Sequence, residues 1–151
     1  DLADPNYEVR SYTPWGAYGQ SKLANLLFAR ELDRRTRTAG VDVTSVAAHP
    51  GFTATELSAN MARAHRNRFV GFGAKISDLF AQSVAMGTLP QLYAATSPDV
   101  EPGAYYGPDG FRGVRGHPTR VGSTAAARDD LAASRLWDLT AELTGVAPDP
   151  S

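Results

Sequence analysis

Apolar residues recur at helical spacing in the first third of the chain. Thr13 can cap a first helical turn, Pro14 suits the first helical position, and Gly40 suits a C-terminal cap. Between these signals the apolar side chains form one broad face, made of Leu23, Ala24, Leu26, Leu27 and Phe28. The pattern predicts an amphipathic helix that starts at Pro14 and ends before Gly40.

A different pattern follows this helix. The stretch "VDVTSVAAH", residues 41–49, is rich in β-branched residues and then becomes small and apolar at successive positions. Such a run is typical of a strand buried in a parallel sheet that is covered on both faces. We therefore predict a β-strand over 41–49.

The remaining elements are less regular. The pattern predicts a helix over 56–80, another over roughly 81–96 in which Pro90 marks a kink or break, a short strand at 103–107, a Gly/Pro-rich loop at 108–118 and a terminal amphipathic helix at 124–145.

These elements make an incomplete sheet. A strand buried on both faces needs hydrogen-bonded neighbours on both edges, because unpaired backbone groups are costly to bury. The chain offers only two strands, and it opens with "DLADPNYEVR", which is neither a signal peptide nor an initiator sequence. We expect an α/β fold in which residues 1–151 form the C-terminal half of one larger domain.

Composition excludes several classes of function. The chain has no cysteine and a net charge of -1, which argues against thiolate chemistry, disulfides and a nucleic-acid partner. No apolar run is long enough to span a membrane, so we expect a cytoplasmic protein. His65 and His117 lack partners at metal-ligand spacing, so no metal site is expected. The basic stretch 63–69 is interpreted as a solvated face.

Two polar residues on the first helix can carry acid–base chemistry. Tyr18 and Lys22 are four residues apart and share one helical face. Tyrosine is a weak acid at neutral pH, and a nearby ammonium favours its ionised form. A solvated face carrying an aromatic ring and a lysine would have the same spacing, so this pair alone leaves both interpretations open.

The segment after the 41–49 strand is the second candidate. "HPGFTATEL" places Pro50 and Gly51 where ligands bind in open α/β sheets, with Thr53 and Thr55 adding hydroxyls. A plain strand-to-helix connection with threonine caps would look the same. His49 is expected to be packed or hydrogen-bonded rather than catalytic.

Together, three stretches resemble a known family. "AYGQSKLANLLFARELDRR", "VAAHPGFTATEL" and "LYAAT" are similar to the short-chain dehydrogenase/reductase family, and to its branch that includes retinol dehydrogenases and protochlorophyllide reductases. The resemblance covers nearly the whole chain. It implies a Rossmann-like, doubly wound parallel sheet, incomplete here, with NADP or NAD as cofactor. It also implies interconversion of an alcohol and a carbonyl on a small apolar substrate.

The resemblance assigns roles to six residues. Tyr18 matches the tyrosine that exchanges a proton with the substrate oxygen, and Lys22 matches the lysine that makes this tyrosine more acidic and binds the nicotinamide ribose. The other four match cofactor contacts: Pro50 and Gly51 the Pro-Gly turn beside the nicotinamide, Thr53 a position whose backbone meets the carboxamide, and Thr55 a threonine on the carboxamide or phosphate side.

Other features of the family are missing. Its Gly-rich cofactor turn, its Asn-Ala-Gly segment and its catalytic serine would precede the tyrosine, and these residues contain none of them. "GFGAKIS", 71–77, is assigned to a variable region over the substrate. Two roles are equally consistent with the sequence, lining of an apolar substrate pocket and ordinary core packing, for Met61, Phe69, Phe72 and Phe80. A homo-oligomer is possible, and the alternative function is a non-catalytic Rossmann-like binding or regulatory protein.

Overall fold

The computed structural model describes residues 2–53 and 81–148. These residues form two compact units. The first unit contains 2–47, 101–104 and 122–148, and the second contains 48–53, 81–100 and 105–121. The helix predicted over 56–80 lies outside the described residues, together with the residues in it that were candidates for pocket lining or core packing. Thr55, just before this helix, also lies outside them.

The first helix, α1 (Pro14–Ala39), begins and ends where its sequence predicts. The Thr13 hydroxyl accepts a hydrogen bond from the Gly16 N–H at 3.2 Å, which satisfies one of the free donors of the first turn. Gly40 ends the helix with left-handed backbone, φ 70°, a conformation that glycine adopts without strain.

The terminal helix, here α3 (Asp130–Thr144), packs against α1 within the first unit. The Phe28 ring stacks on Trp137 with centroids 5.1 Å apart, and the Arg35 guanidinium lies 4.8 Å from the same indole. Ala133 is fully buried beside them. Aromatic burial of this kind dominates the energy of a small core.

The start of α3 differs from the prediction. The helix was expected from residue 124, but Ala126–Arg128 forms a separate 3-10 turn and α3 begins at Asp130. Asp129 separates the two because its backbone is extended and its carboxylate accepts a hydrogen bond from the Ala132 N–H at 3.0 Å.

The charged groups in the second half of α1 are paired. Glu31, only 1% exposed, accepts hydrogen bonds from Arg34 and Arg35 at 2.6 and 2.7 Å. The hydrogen bond from Arg34, followed by that from Arg35, holds the pKa of Glu31 below its ordinary value. Arg30 also reaches Asp130 on α3 at 2.7 Å. The ion pairs fix the polar edge of the α1–α3 contact.

A shorter helix, α2 (Val84–Thr96), lies in the second unit. Ser83 caps it, and it begins three residues later than predicted because residues 81–82 are extended, with Gln82 in a parallel bridge to Thr53. The helix does not break at Pro90, which is buried inside one continuous helix, and the alternative of a kink there stays a prediction. The helix continues through this position although proline lacks the N–H that would donate one helical hydrogen bond.

Three short strands form one sheet: β1 (Ala47–Ala48), β2 (Tyr105–Pro108) and β3 (Pro118–Arg120), in the order β1-β2-β3. The N–H groups of Ala47 and His49 donate to the carbonyls of Ala104 and Tyr106, so β1 and β2 run parallel. β2 and β3 are antiparallel, with Gly107 opposite Thr119.

The sheet confirms an α/β fold and corrects two details. The strand predicted over 41–49 is only two residues long, and its first four residues are exposed because β1 pairs along one edge among the described residues. The sheet is mixed rather than wholly parallel because the predicted loop at 108–118 ends in β3, which returns beside β2.

Candidate functional site

Tyr18 and Lys22 lie in the first unit, near the start of α1. The cap at Thr13 and the proline at position 14 fix where the helix begins, so both side chains leave the same face one turn apart. The Lys22 Nζ lies 5.3 Å from the centroid of the Tyr18 ring. The spacing in the sequence is therefore a spatial contact.

Neither group has a structural task within the part of the chain that the structure describes. Tyr18 is 37% exposed, and no described residue forms a hydrogen bond with its hydroxyl. Lys22 is also exposed, and its ammonium has no acidic partner among residues 2–53 and 81–148. The acids further along α1 are paired, so these two polar groups stand apart in being available to a ligand.

The Pro50–Gly51 turn belongs to the second unit and leaves β1 at its carboxyl end. Gly51 has φ 67°, and a Cβ there would lie 2.5 Å from the Val114 carbonyl oxygen. The Phe52 N–H donates to that carbonyl at 2.7 Å. The packing of the protein itself therefore requires glycine here, whether or not a ligand also approaches it.

His49 supports this turn through a hydrogen bond. Its Nδ1 accepts a hydrogen bond from the Gly51 N–H at 3.2 Å, which places the ring proton on Nε2. Burial lowers the pKa of His49 below its ordinary value of 6.5, so the neutral form is favoured. The ring also lies 5.1 Å from Tyr105. The structure agrees with the expectation that His49 is packed and hydrogen-bonded.

Gln82 is a positioning residue that the sequence did not reveal. Its side-chain amide donates to the Pro50 carbonyl at 2.5 Å, and its side-chain oxygen accepts from the Gly116 N–H at 3.1 Å. Its own N–H donates to the Phe52 carbonyl at 2.9 Å. Gln82 is buried, and it ties the turn to the 109–117 loop. No local motif marks such a residue, since its partners lie thirty or more positions away.

Thr53 uses its hydroxyl inside the fold. The hydroxyl donates to the Pro50 carbonyl at 2.9 Å, and the hydroxyl and methyl group together occupy the space where a Cβ on Gly87 would lie. The Thr53 backbone N–H has no partner among residues 2–53 and 81–148. Its hydroxyl is therefore used within the fold, and the contact of its backbone with a cofactor stays a prediction.

A cavity of about 560 Å³ lies elsewhere in the first unit. Its walls come from the N-terminal segment, α1 and α3, and are mostly apolar. Ala17 and Ala24 of α1 line it, but Tyr18 and Lys22 do not. The cavity thus lies on another face of α1 from the polar pair. Among the described residues no group of three or more acidic or histidine side chains could hold a metal.

Known proteins resemble the whole of this chain. Retinol dehydrogenase 13 from Mus musculus is 36% identical over 97% of the chain, and polyprenol dehydrogenase from the same organism is 35% identical over 96%. A crystal structure of an uncharacterized protein from Mycobacterium paratuberculosis is 36% identical and superposes with a TM-score of 0.71 over 97% of the chain. No family model matches the chain.

The chain belongs to the short-chain dehydrogenase/reductase family. Its match is to the branch of this family that includes retinol dehydrogenases, as the motifs predicted. The chain spans 41% of retinol dehydrogenase 13, 40% of polyprenol dehydrogenase and 45% of the solved structure. This partial coverage agrees with an incomplete Rossmann-like fold in these 151 residues.

The predicted site residues of this short-chain dehydrogenase/reductase chain lie in two units. Tyr18 and Lys22 lie in the first, and Pro50, Gly51 and Thr53 in the second. Their roles in catalysis and cofactor binding stay predictions. In the described ranges no helix is long and apolar enough to cross a membrane.

Proposed function

We propose that this chain supplies the acid–base pair and part of the nicotinamide site of an NAD(P)-dependent oxidoreductase that interconverts an alcohol and a carbonyl. The observation that carries the proposal is the contact between Tyr18 and Lys22. Both groups are exposed, and neither is used by the described part of the fold. Family membership supports the same assignment.

In this proposal Tyr18 moves the proton. For reduction, the Tyr18 hydroxyl donates a proton to the carbonyl oxygen of the substrate, and for oxidation the tyrosinate takes the proton from the alcohol. Bound nicotinamide supplies the hydride to the carbonyl carbon or accepts it from the alcohol carbon. The positive charge of Lys22, close to the Tyr18 ring, stabilises the tyrosinate that is left after proton donation.

The second unit would hold the nicotinamide ring. The fit rests on the Thr53 N–H, which no described residue pairs and which can donate to the carboxamide oxygen, and on the Pro50–Gly51 turn before it. His49 and Gln82 fix that turn through the Gly51 N–H and the Pro50 carbonyl. Lys22 would bind the ribose hydroxyls with its ammonium donors. Thr55 is assigned to the same cofactor contact by the resemblance alone.

The substrate is proposed to be a small apolar alcohol or its carbonyl. Two relatives are named for the alcohols retinol and polyprenol, which supports an alcohol as the substrate of this protein. Both NADP and NAD stay candidates, because the residues that choose between them follow an early strand of the fold. A cytoplasmic location and a homo-oligomer also remain predictions.

The test is turnover by the complete protein. We expect oxidation of NADPH or NADH, followed at 340 nm, when octanal is added, and the reverse reaction with 1-octanol. Propanal serves as a short control substrate. The alternative, a non-catalytic binding protein, predicts that the nucleotide binds but that no panel of aldehydes or ketones is turned over. That result would refute the proposed function.

A further inference from the structure

Trp15 is a large apolar side chain that the described part of the fold leaves exposed to solvent. It is 63% exposed, and its indole N–H has no hydrogen-bond partner among residues 2–53 and 81–148. The other tryptophan, Trp137, is only 5% exposed and stacks on Phe28 in the core. One tryptophan thus has an ordinary structural task, whereas the other has none that the structure shows.

Within 2–53 and 81–148, the one aromatic contact of Trp15 is with the proposed acid–base residue. The Trp15 and Tyr18 rings meet edge to face, with centroids 6.3 Å apart and planes at 84°. The two residues are three positions apart on α1, so they share a face. Lys22 approaches the same Tyr18 ring from the next turn. The ring of Tyr18 therefore lies between an indole on one side along the helix and an ammonium on the other.

The two sides of the Tyr18 ring therefore differ in polarity. The Lys22 side is polar and suits the hydroxyl groups of a ribose, whereas the Trp15 side offers only an apolar surface next to the hydroxyl-bearing ring. A carbonyl substrate must place its oxygen at the Tyr18 hydroxyl and its carbon skeleton away from the cofactor. An exposed indole in contact with the Tyr18 ring is a suitable surface for such a skeleton.

We infer that Trp15 contacts the apolar carbon chain of the substrate and so determines selectivity for long apolar alcohols and aldehydes. The inference rests on the proposed function, because it assumes that the substrate oxygen is held at Tyr18. Tryptophan suits the role since its large rigid surface loses little conformational entropy on binding. Trp15 is thus a specificity residue of the same site, one that the sequence motifs do not include.

The first experiment compares substrates of different length in the complete protein. Trp15→Ala should lower kcat/KM for octanal at least tenfold, mainly through a higher KM, and change that for propanal less than threefold. Trp15→Phe should keep most of the octanal activity. The matched control is Tyr12→Ala, which removes another exposed aromatic ring whose aromatic contact is with Tyr7 rather than Tyr18.

Two kinetic outcomes overturn the inference. If Trp15→Ala lowers kcat equally for octanal and propanal, Trp15 only holds the Tyr18 ring in place. If it changes neither, Trp15 does not contact the substrate. A lost octanal preference in Tyr12→Ala would likewise show that the effect is not specific to Trp15.

The second experiment does not need turnover. Acrylamide quenching of Trp15 fluorescence, measured as the difference between the wild type and Trp15→Phe, should be efficient in the cofactor-bound protein. It should be reduced by 1-octanol but not by 1-propanol, and the same reduction should occur in Tyr18→Phe. A Trp15 that acrylamide cannot reach, or that 1-octanol does not protect, overturns the inference. If Tyr18→Phe keeps its activity, the proposed function fails, and the quenching result still decides the role of Trp15.

Discussion

Replacing Gly107 by alanine should disturb the cofactor turn through the ring of His49. Gly107 lies in β2, and a Cβ there would be 2.5 Å from His49 Cδ2 and 2.8 Å from Cε1, with Nε2 closer still. Carbon atoms in ordinary contact are about 3.5–4 Å apart. The imidazole would have to retreat by about 1 Å, which breaks its 3.2 Å hydrogen bond with the Gly51 N–H.

The free energy of unfolding should fall by about 2–4 kcal/mol. Forcing an extra methyl group into a packed site costs about 1–3 kcal/mol, and the lost hydrogen bond adds about 1 kcal/mol. The His49 ring is half-buried between Tyr105 and the turn, which limits how far it can move away from the new methyl group. Since His49 supports the Pro50–Gly51 turn, cofactor affinity should fall as well.

The measurement is urea denaturation of the complete protein, with Gly19→Ala as the matched control. No atom lies within 4 Å of a Cβ built at Gly19, and this residue is inside α1. Gly19→Ala should therefore raise the free energy of unfolding by about 0.5–1 kcal/mol. If Gly107→Ala unfolds at the same urea concentration as the wild type, with an unchanged slope, the contact between β2 and His49 is not as described.

Three further predictions concern the ribose contact, the histidine and the chain itself. Lys22→Arg should weaken NAD(P)H binding and shift the pH profile of turnover, because arginine keeps the charge but not the compact donor geometry; identical affinity and profile would indicate a merely solvated lysine. The lowered pKa of His49 means that the folded state binds fewer protons than the unfolded state, so the free energy of unfolding should fall as the pH drops below 6.5. The loss is about 1.4 kcal/mol for each unit by which the pKa is lowered, and a His49→Gln variant should lack this part of the pH dependence in thermal unfolding. The 151 residues alone should bind NADPH and NADH negligibly and unfold without a cooperative transition, since β1 keeps an unpaired edge among the described residues; micromolar binding with a cooperative melt would contradict this.

Local signals made both ends of α1 predictable. The limits of α1 depend on Thr13, Pro14 and Gly40, which act on the backbone next to them, and the structure has all three in the expected roles. The contact between Tyr18 and Lys22 follows from the same helix, because residues four apart share a face. Short-range physics therefore sufficed for the part of the site that lies on one helix.

Features that depend on distant partners were not predictable. The length of β1 depends on how far β2 accompanies it, and Val41 and Val43 are exposed despite their strand propensity. β3 begins with a proline in a Gly/Pro-rich stretch, so no strand signal marks it. Gln82 has its role only because the turn and the 109–117 loop converge on its side chain. Such contacts arise from tertiary packing.

The most direct test of the account is the Tyr18→Phe variant of the complete protein, which removes the proton donor and little else. Single-turnover reduction of octanal at saturating cofactor should slow by about 100-fold or more, which is the usual contribution of a general acid. NADPH or NADH affinity, measured by nucleotide fluorescence, should stay within threefold of the wild type. A variant that binds the cofactor normally and reduces octanal at nearly the wild-type rate would contradict the assignment of Tyr18 as the acid–base residue.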